Sequence, residues 1–97
     1  MYGTVARMRL KAGAEAEMNR LSQEWAQEDI PGFVFQHVYK LDNNPNQFML
    51  VVAFDSKASY EANARSPEQA ARYQQYSALM DGAPEWNDGE IVFSRQA

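Results

Sequence analysis

Residues 2–10 alternate, with Thr4, Ala6, Met8 and Leu10 on one side and Val5, Arg7 and Arg9 on the other, a period that predicts a strand. After a turn at Lys11-Ala12-Gly13 the period changes. Ala14, Met18, Leu21 and Trp25 recur every three or four positions, which places them on one helical face. Glu15 and Glu17 suit the first turn of that helix, and Ile30-Pro31-Gly32 is expected to stop it. Alternation resumes over 33–41, with Phe33, Phe35, His37, Tyr39 and Leu41 expected on one face and Val34, Gln36, Val38 and Lys40 on the other. Asp42-Asn43-Asn44-Pro45-Asn46 is dense turn chemistry. It joins this strand to a third at 47–55 as a hairpin.

Ser56 is placed to cap a short helix that runs to about Arg65. Ser66-Pro67-Glu68-Gln69 reads as a fresh helix start, with Ser66 at the cap, Pro67 at the first helical position and Gln69 completing a capping box. Tyr73, Tyr76 and Met80 line one side of that helix, Asp81-Gly82-Ala83-Pro84 ends it, and 90–95 is expected to be the last strand. The order β-α-β-β-α(α)-β predicts an α+β fold, a ferredoxin-like split β-α-β sandwich with a four-stranded antiparallel sheet and helices on one face. At 97 residues the chain is expected to be a single domain spanning 1–97.

Helices cover only one face of such a sheet. The face expected beneath them carries Phe33, Phe35, Tyr39, Phe48, Leu50, Phe54, Ile91 and Phe93. The other still holds Val5, Val34, Val38, Met49, Val51, Ala53 and Val92, with Arg7, Arg9, Gln36 and Lys40 towards its ends. A wet antiparallel face should alternate, and the third strand is apolar on both sides. A second copy laid sheet against sheet would cover it, so a homodimer is expected.

Composition narrows the chemistry. Nine basic against thirteen acidic residues give a net charge of −4, which argues against nucleic acid or an anionic membrane as partner. The same charge and the apolar third strand disfavour an RNA-binding module on this strand order. No cysteine is present, which excludes disulfide scaffolds, iron–sulfur clusters and cysteine nucleophiles. The longest apolar run, Phe48 to Phe54, is far shorter than the ~20 residues of a membrane helix. With no basic-then-apolar leader at the N-terminus, a cytoplasmic protein is expected. Phosphate loops, dinucleotide fingerprints and a Gly-x-Ser-x-Gly elbow are all missing. One histidine does not make the usual iron or zinc site, so no metal and no cofactor beyond O2 as co-substrate is expected.

His37 is either a core histidine or the proton acceptor for a bound phenol, being the one side chain that titrates near neutrality unperturbed. Asn63 and Arg65 are either solvated or, for Asn63, an amide that donates to a substrate oxygen. Tyr60, Tyr73 and Tyr76 are core anchors whose hydroxyls reach a rim, with Tyr73 best placed to enter a cavity. Arg72 is expected in solvent and Trp25 in the core. Trp86 is expected in a loop before the last strand, where it plugs the end or lids a pocket. An interior this aromatic suits a flat apolar ligand lined by Phe33, Phe35, Tyr60, Tyr76 and Trp86, and a well-packed core would read the same way.

Leu10-Lys11-Ala12-Gly13, the Ile30-Pro31-Gly32-Phe33 junction, and Phe54-Asp55-Ser56-Lys57-Ala58-Ser59-Tyr60 leading into Asn63-Ala64-Arg65-Ser66 resemble the antibiotic biosynthesis monooxygenase family, of the dimeric α+β barrel superfamily, over roughly residues 2–94. The resemblance implies a homodimer whose sheets form a barrel, with a pocket between helices and sheet in each subunit. Some members oxidise polycyclic aromatic polyketides to quinones with molecular oxygen and no flavin, haem or metal, the deprotonated substrate itself reducing oxygen. Asn63 and Tyr73 fall where the family often places pocket side chains. A haem-degrading branch uses an asparagine, a tryptophan and a histidine where this chain has Ala6, Asn63 and Tyr73, leaving His37 as a substitute ligand. The expectation is a cofactor-independent monooxygenase-like protein acting on a hydrophobic aromatic small molecule, with His37 as base and Asn63 and Tyr73 as donors. The alternative is a non-catalytic ligand-binding or accessory dimer.

Overall fold

A computed structural model describes all 97 residues. The chain runs β1 (Tyr2–Arg9), α1 (Glu15–Trp25), β2 (Phe33–Lys40), β3 (Gln47–Phe54), α2 (Lys57–Ala64), α3 (Pro67–Leu79) and β4 (Glu85–Glu90). The strands form one antiparallel sheet in the order β2-β3-β1-β4, the ferredoxin-like α+β arrangement.

The local signals that start the helices work as expected. Ser56 Oγ accepts from Ser59 N–H, and Ser66 Oγ accepts from Gln69 N–H, each at 3.1 Å. α1 stops sooner than expected. Glu28 N–H already bonds Trp25 O at 3.0 Å, so the chain tightens into a turn well before Ile30. Gly32 then takes φ +80 where a Cβ would lie 2.5 Å from Ser59, and its carbonyl accepts from Asp55 N–H at 2.8 Å. That corner ties the start of β2 to the head of α2.

Two expectations about the sheet are corrected. The first is the phase of β2. Phe33 pairs with Phe54, yet Phe35 pairs with Ala53, so Val34 is an extra residue in a bulge. Side chains alternate with period two, so one inserted residue exchanges the faces beyond it. Gln36, Val38 and Lys40 therefore share the side of Val52, Leu50 and Phe48, beneath the helices. Phe35, His37 and Tyr39 share the outer side with Ala53, Val51 and Met49. Lys40 confirms its side by bonding Glu15 of α1 at 3.0 Å.

The second correction concerns β4. It lies over Glu85–Glu90, not 90–95, and Trp86 is a strand residue opposite Ala6, not part of a loop. β1 sets this limit. Tyr2 pairs with Glu90, the last bond runs from Ile91 N–H to Met1 O, and no β1 backbone remains for the residues that follow. Val92 and Phe93 consequently sit at 88% and 81% exposure, on neither face of the sheet.

Only twelve residues are buried, so the helices do not press on the sheet along its whole length. They meet it at one end, where Met8, Leu10, Ala14, Phe48 and Met80 form the packed cluster. The outer face keeps Val5, Met49, Val51 and Ala53, gains Phe35 and Tyr39, and loses Val38 to the helical side and Val92 to the exposed terminal segment.

Candidate functional site

Beyond the packed cluster, the helices and the sheet enclose an open cavity of about 1410 Å³. Its floor is the alternating inner set of β1 and β3, which includes Thr4, Leu50, Val52 and Phe54. Its walls come from α1, α2, α3 and Trp86 of β4. Most of the lining is apolar and aromatic, as a site for a flat ligand requires.

The aromatic rings fall into two groups. Trp25 meets Tyr76 edge-on at 4.3 Å, and Tyr76 Oη shares a 3.1 Å hydrogen bond with Ser22 Oγ. Tyr2, Tyr60, Phe54 and Phe33 form a chain of edge-to-face contacts at 5.3, 5.6 and 5.9 Å. Tyr73 and Trp86 lie 6.3 Å apart with their planes tilted by 48°.

Tyr60 Oη donates to Asp88 Oδ1 at 2.9 Å. Burial, followed by the bond and charge of Asp88, pushes this phenol up to about 12. Burial also raises Tyr76, against hydrogen bonds from Ser22 and Gln36 that hold it down. Both hydroxyls keep their protons at neutral pH, which makes them donors rather than bases. Beside Tyr60, Thr4 is 5% exposed, and its buried Oγ1 meets no partner with hydrogen-bond geometry.

Two polar clusters break the apolar wall, the Lys40–Glu15 pair and a larger one around Arg72. Arg72 is only 8% exposed. Its Nε donates to Gln69 Oε1 at 3.1 Å, its Nη2 to Asn63 Oδ1 at 3.3 Å, and its Nη1 to Glu28 in an ion pair. Asn63 Nδ2 also donates to Gln69 Oε1, at 3.4 Å. Half of the expected capping box is therefore redirected: Ser66 caps Gln69 N–H, while the Gln69 amide serves Arg72 and Asn63.

Asn63, Tyr73, Phe33, Tyr60, Tyr76 and Trp86 all line the cavity. Phe35 borders it too, although it pairs with Ala53 and stacks on His37 at 5.0 Å. His37 does not join them. The bulge turns it to the exposed outer face opposite Val51, so the sole imidazole cannot serve a ligand in its own subunit's cavity, as base or as haem ligand. No group of three or more His, Asp or Glu is arranged to hold a metal ion.

Arg72, Gln69 and Glu28 are cavity residues that sequence reasoning missed. Arg72 is buried, not in solvent. A signal for two of them was available, because Gln69, Arg72, Tyr73, Tyr76 and Met80 follow one another at helical spacing along a single stripe. Glu28 lies in the turn after α1, where no period points.

This architecture has close counterparts among solved structures. A Caulobacter crescentus protein described as a candidate antibiotic biosynthesis monooxygenase superposes with a TM-score of 0.83 at 16% identity, over 95% of this chain and 90% of that one. A Chloroflexus aurantiacus protein described in the same way gives 0.79 at 21% identity, over 98% and 96%. SnoaB of Streptomyces nogalater, a cofactor-independent oxygenase solved as a single-substitution variant, gives 0.77 at 14%, over 96% and 94%. At these identities the likeness speaks for the fold. No curated protein sequence matches the chain. The family model for antibiotic biosynthesis monooxygenases matches residues 1–75, which takes in β1 through α2 and α3 to just past Arg72 and Tyr73. On that match the chain belongs to the antibiotic biosynthesis monooxygenase family.

Proposed function

We propose that the protein is a small cofactor-independent monooxygenase that acts on a hydrophobic, phenol-like polycyclic aromatic molecule with O2. The observation that carries this reading is the aromatic cavity of about 1410 Å³ with a donor cluster at Asn63 and Arg72 in its wall. Such a space accepts several fused rings, and the cluster gives their oxygens one preferred orientation. Asn63 donates to a substrate oxygen, and Tyr73 with Trp86 offers an aromatic wall against which the ring system lies. Once the substrate is deprotonated, the electron-rich ring reduces O2. One oxygen atom becomes the new ring carbonyl, the other leaves as water, and all four electrons come from the substrate. The family and the likeness to a cofactor-independent oxygenase support this chemistry. The apolar outer face, with Val5, Tyr39, Met49 and Val51, supports a homodimer joined sheet to sheet.

One observation favours a second reading, a non-catalytic ligand-binding dimer: the cavity contains no histidine to take the substrate proton. Trp25 and Trp86 both line the cavity, so fluorescence and oxygen consumption separate the two. With a panel of hydroxylated anthrones and naphthacenes, tryptophan quenching accompanied by oxygen uptake is expected. Quenching without uptake selects the binding protein, and no quenching by any member removes both readings.

A further inference from the structure

The donor cluster is unbalanced in a way that specifies the ligand. A guanidinium has five N–H groups. Gln69, Glu28 and Asn63 take one each, which leaves two. Asn63 Nδ2 has a further N–H beyond the one given to Gln69 Oε1. The acceptors of the cluster are largely in use: Gln69 Oε1 accepts twice, and Asn63 Oδ1 accepts from Arg72. What the cluster can still offer a ligand is mostly donors, three N–H groups against the second lone pair of Asn63 Oδ1.

The charges are unequal as well. Arg72 is the one buried charged residue, whereas the Glu28 side chain is 46% exposed. Water screens the carboxylate far more than the guanidinium, so the cavity feels a net positive potential although the pair is formally neutral. The other titratable groups lining the cavity are Tyr73 and Tyr76 of α3, Tyr60 of α2, and Lys40 of β2, which is paired with Glu15 of α1. Tyr60 and Tyr76 are held in their neutral forms.

Building on the cavity reading above, we propose that Arg72, with Asn63 aligned by it, is an oxyanion site that selects aromatic ligands carrying an acidic ring hydroxyl and binds them as phenolate or enolate. Asn63 cannot turn its amide over without placing its NH2 against the guanidinium, so Arg72 fixes which end of Asn63 is presented. Glu28 acts oppositely. It anchors Arg72 and moderates its field.

The test is a titration of a bound chromophore. A hydroxyanthraquinone changes its absorption on ionisation, and its methyl ether serves as the neutral control. The wild-type protein is expected to lower the apparent pKa of the bound hydroxyl by about one unit or more. Arg72→Met should abolish that shift or reverse it, because an apolar cavity alone disfavours the anion. Glu28→Gln should lower the apparent pKa further, and this variant tests the sign even if Arg72→Met does not fold. Binding of both probes with an unshifted or raised pKa in wild type overturns the oxyanion site while sparing the cavity reading. An Arg72→Met shift equal to that of wild type does the same. Failure of both hydroxyl and ether to bind overturns the cavity reading and this inference with it.

Discussion

The two ends of the space between helices and sheet share β1 and β3 and behave differently. At one end Met8, Leu10, Phe48 and Met80 close on Ala14 and exclude water. At the other, tyrosines, Trp25, Trp86 and the Arg72 cluster hold the layers apart around a cavity. Wholly apolar side chains can close on one another completely, whereas rings with polar tips keep one edge free. The packed end therefore supplies cooperativity, and the open end is held in place by specific pairs.

The sharpest test of that division is Phe48→Ala set beside Tyr73→Ala. Removing the buried Phe48 ring should cost about 3–5 kcal/mol in a urea melt. Removing half-buried Tyr73 should cost roughly 1 kcal/mol while it weakens ligand quenching of Trp86. Equal losses would mean that both ends carry the fold alike. Next in size is Arg72→Ala, which strands acceptors on α2, α3 and the turn after α1. Breaking a fully buried pair costs about 3–5 kcal/mol, and with Glu28 partly in water a loss of about 2 kcal/mol is expected. A melt unchanged by Arg72→Ala would show the cluster to be no strut.

Thr4→Val should act in the opposite direction. It keeps the shape and removes a buried hydroxyl without a partner, so a gain of about 1 kcal/mol is expected in the same melt. A loss would mean that the Thr4 hydroxyl is hydrogen-bonded after all. The smallest effect is electrostatic. Tyr60 holds its proton more tightly in the folded chain, from an ordinary 10.0 up to about 12. Its contribution is complete below pH 10 and disappears as pH rises from 10 towards 12. Because the group is partly exposed, screening keeps it under about 1 kcal/mol. Tyr60→Phe should flatten that part of the stability profile, and an unchanged slope would assign it to another tyrosine.

Much of this was legible in the sequence, and the exceptions have local causes. Period and capping residues gave the order of elements because the helices start at Ser56 and Ser66 side chains that bond their own backbones. The phase of β2 was not legible, since the bulge at Val34 involves neither glycine nor proline. β4 was misplaced because Ile91-Val92-Phe93 is the more apolar run, while pairing is decided by where β1 ends. The helical positions of Asn63 and Tyr73 pointed to the space they line. Arg72 was missed because a charge is assigned to water unless its acceptors are seen, and these lie on three separate segments.

The inserted residue at Val34 sets sequence alternation and pairing at odds. A regular strand would put His37 on the side of Phe33, yet Phe33 opposite Phe54 and His37 opposite Val51 lie on different sides. Deleting Val34 removes the spare residue and leaves Phe35 opposite Ala53, so the imidazole of His37 should stay open to carbethoxylation and the Lys40 tether to Glu15 should persist. A protected ring in a ΔVal34 chain that folds would show that the strand had slid by one position. The outward histidine is thus a matter of pairing with β3, which the loss of one codon does not undo.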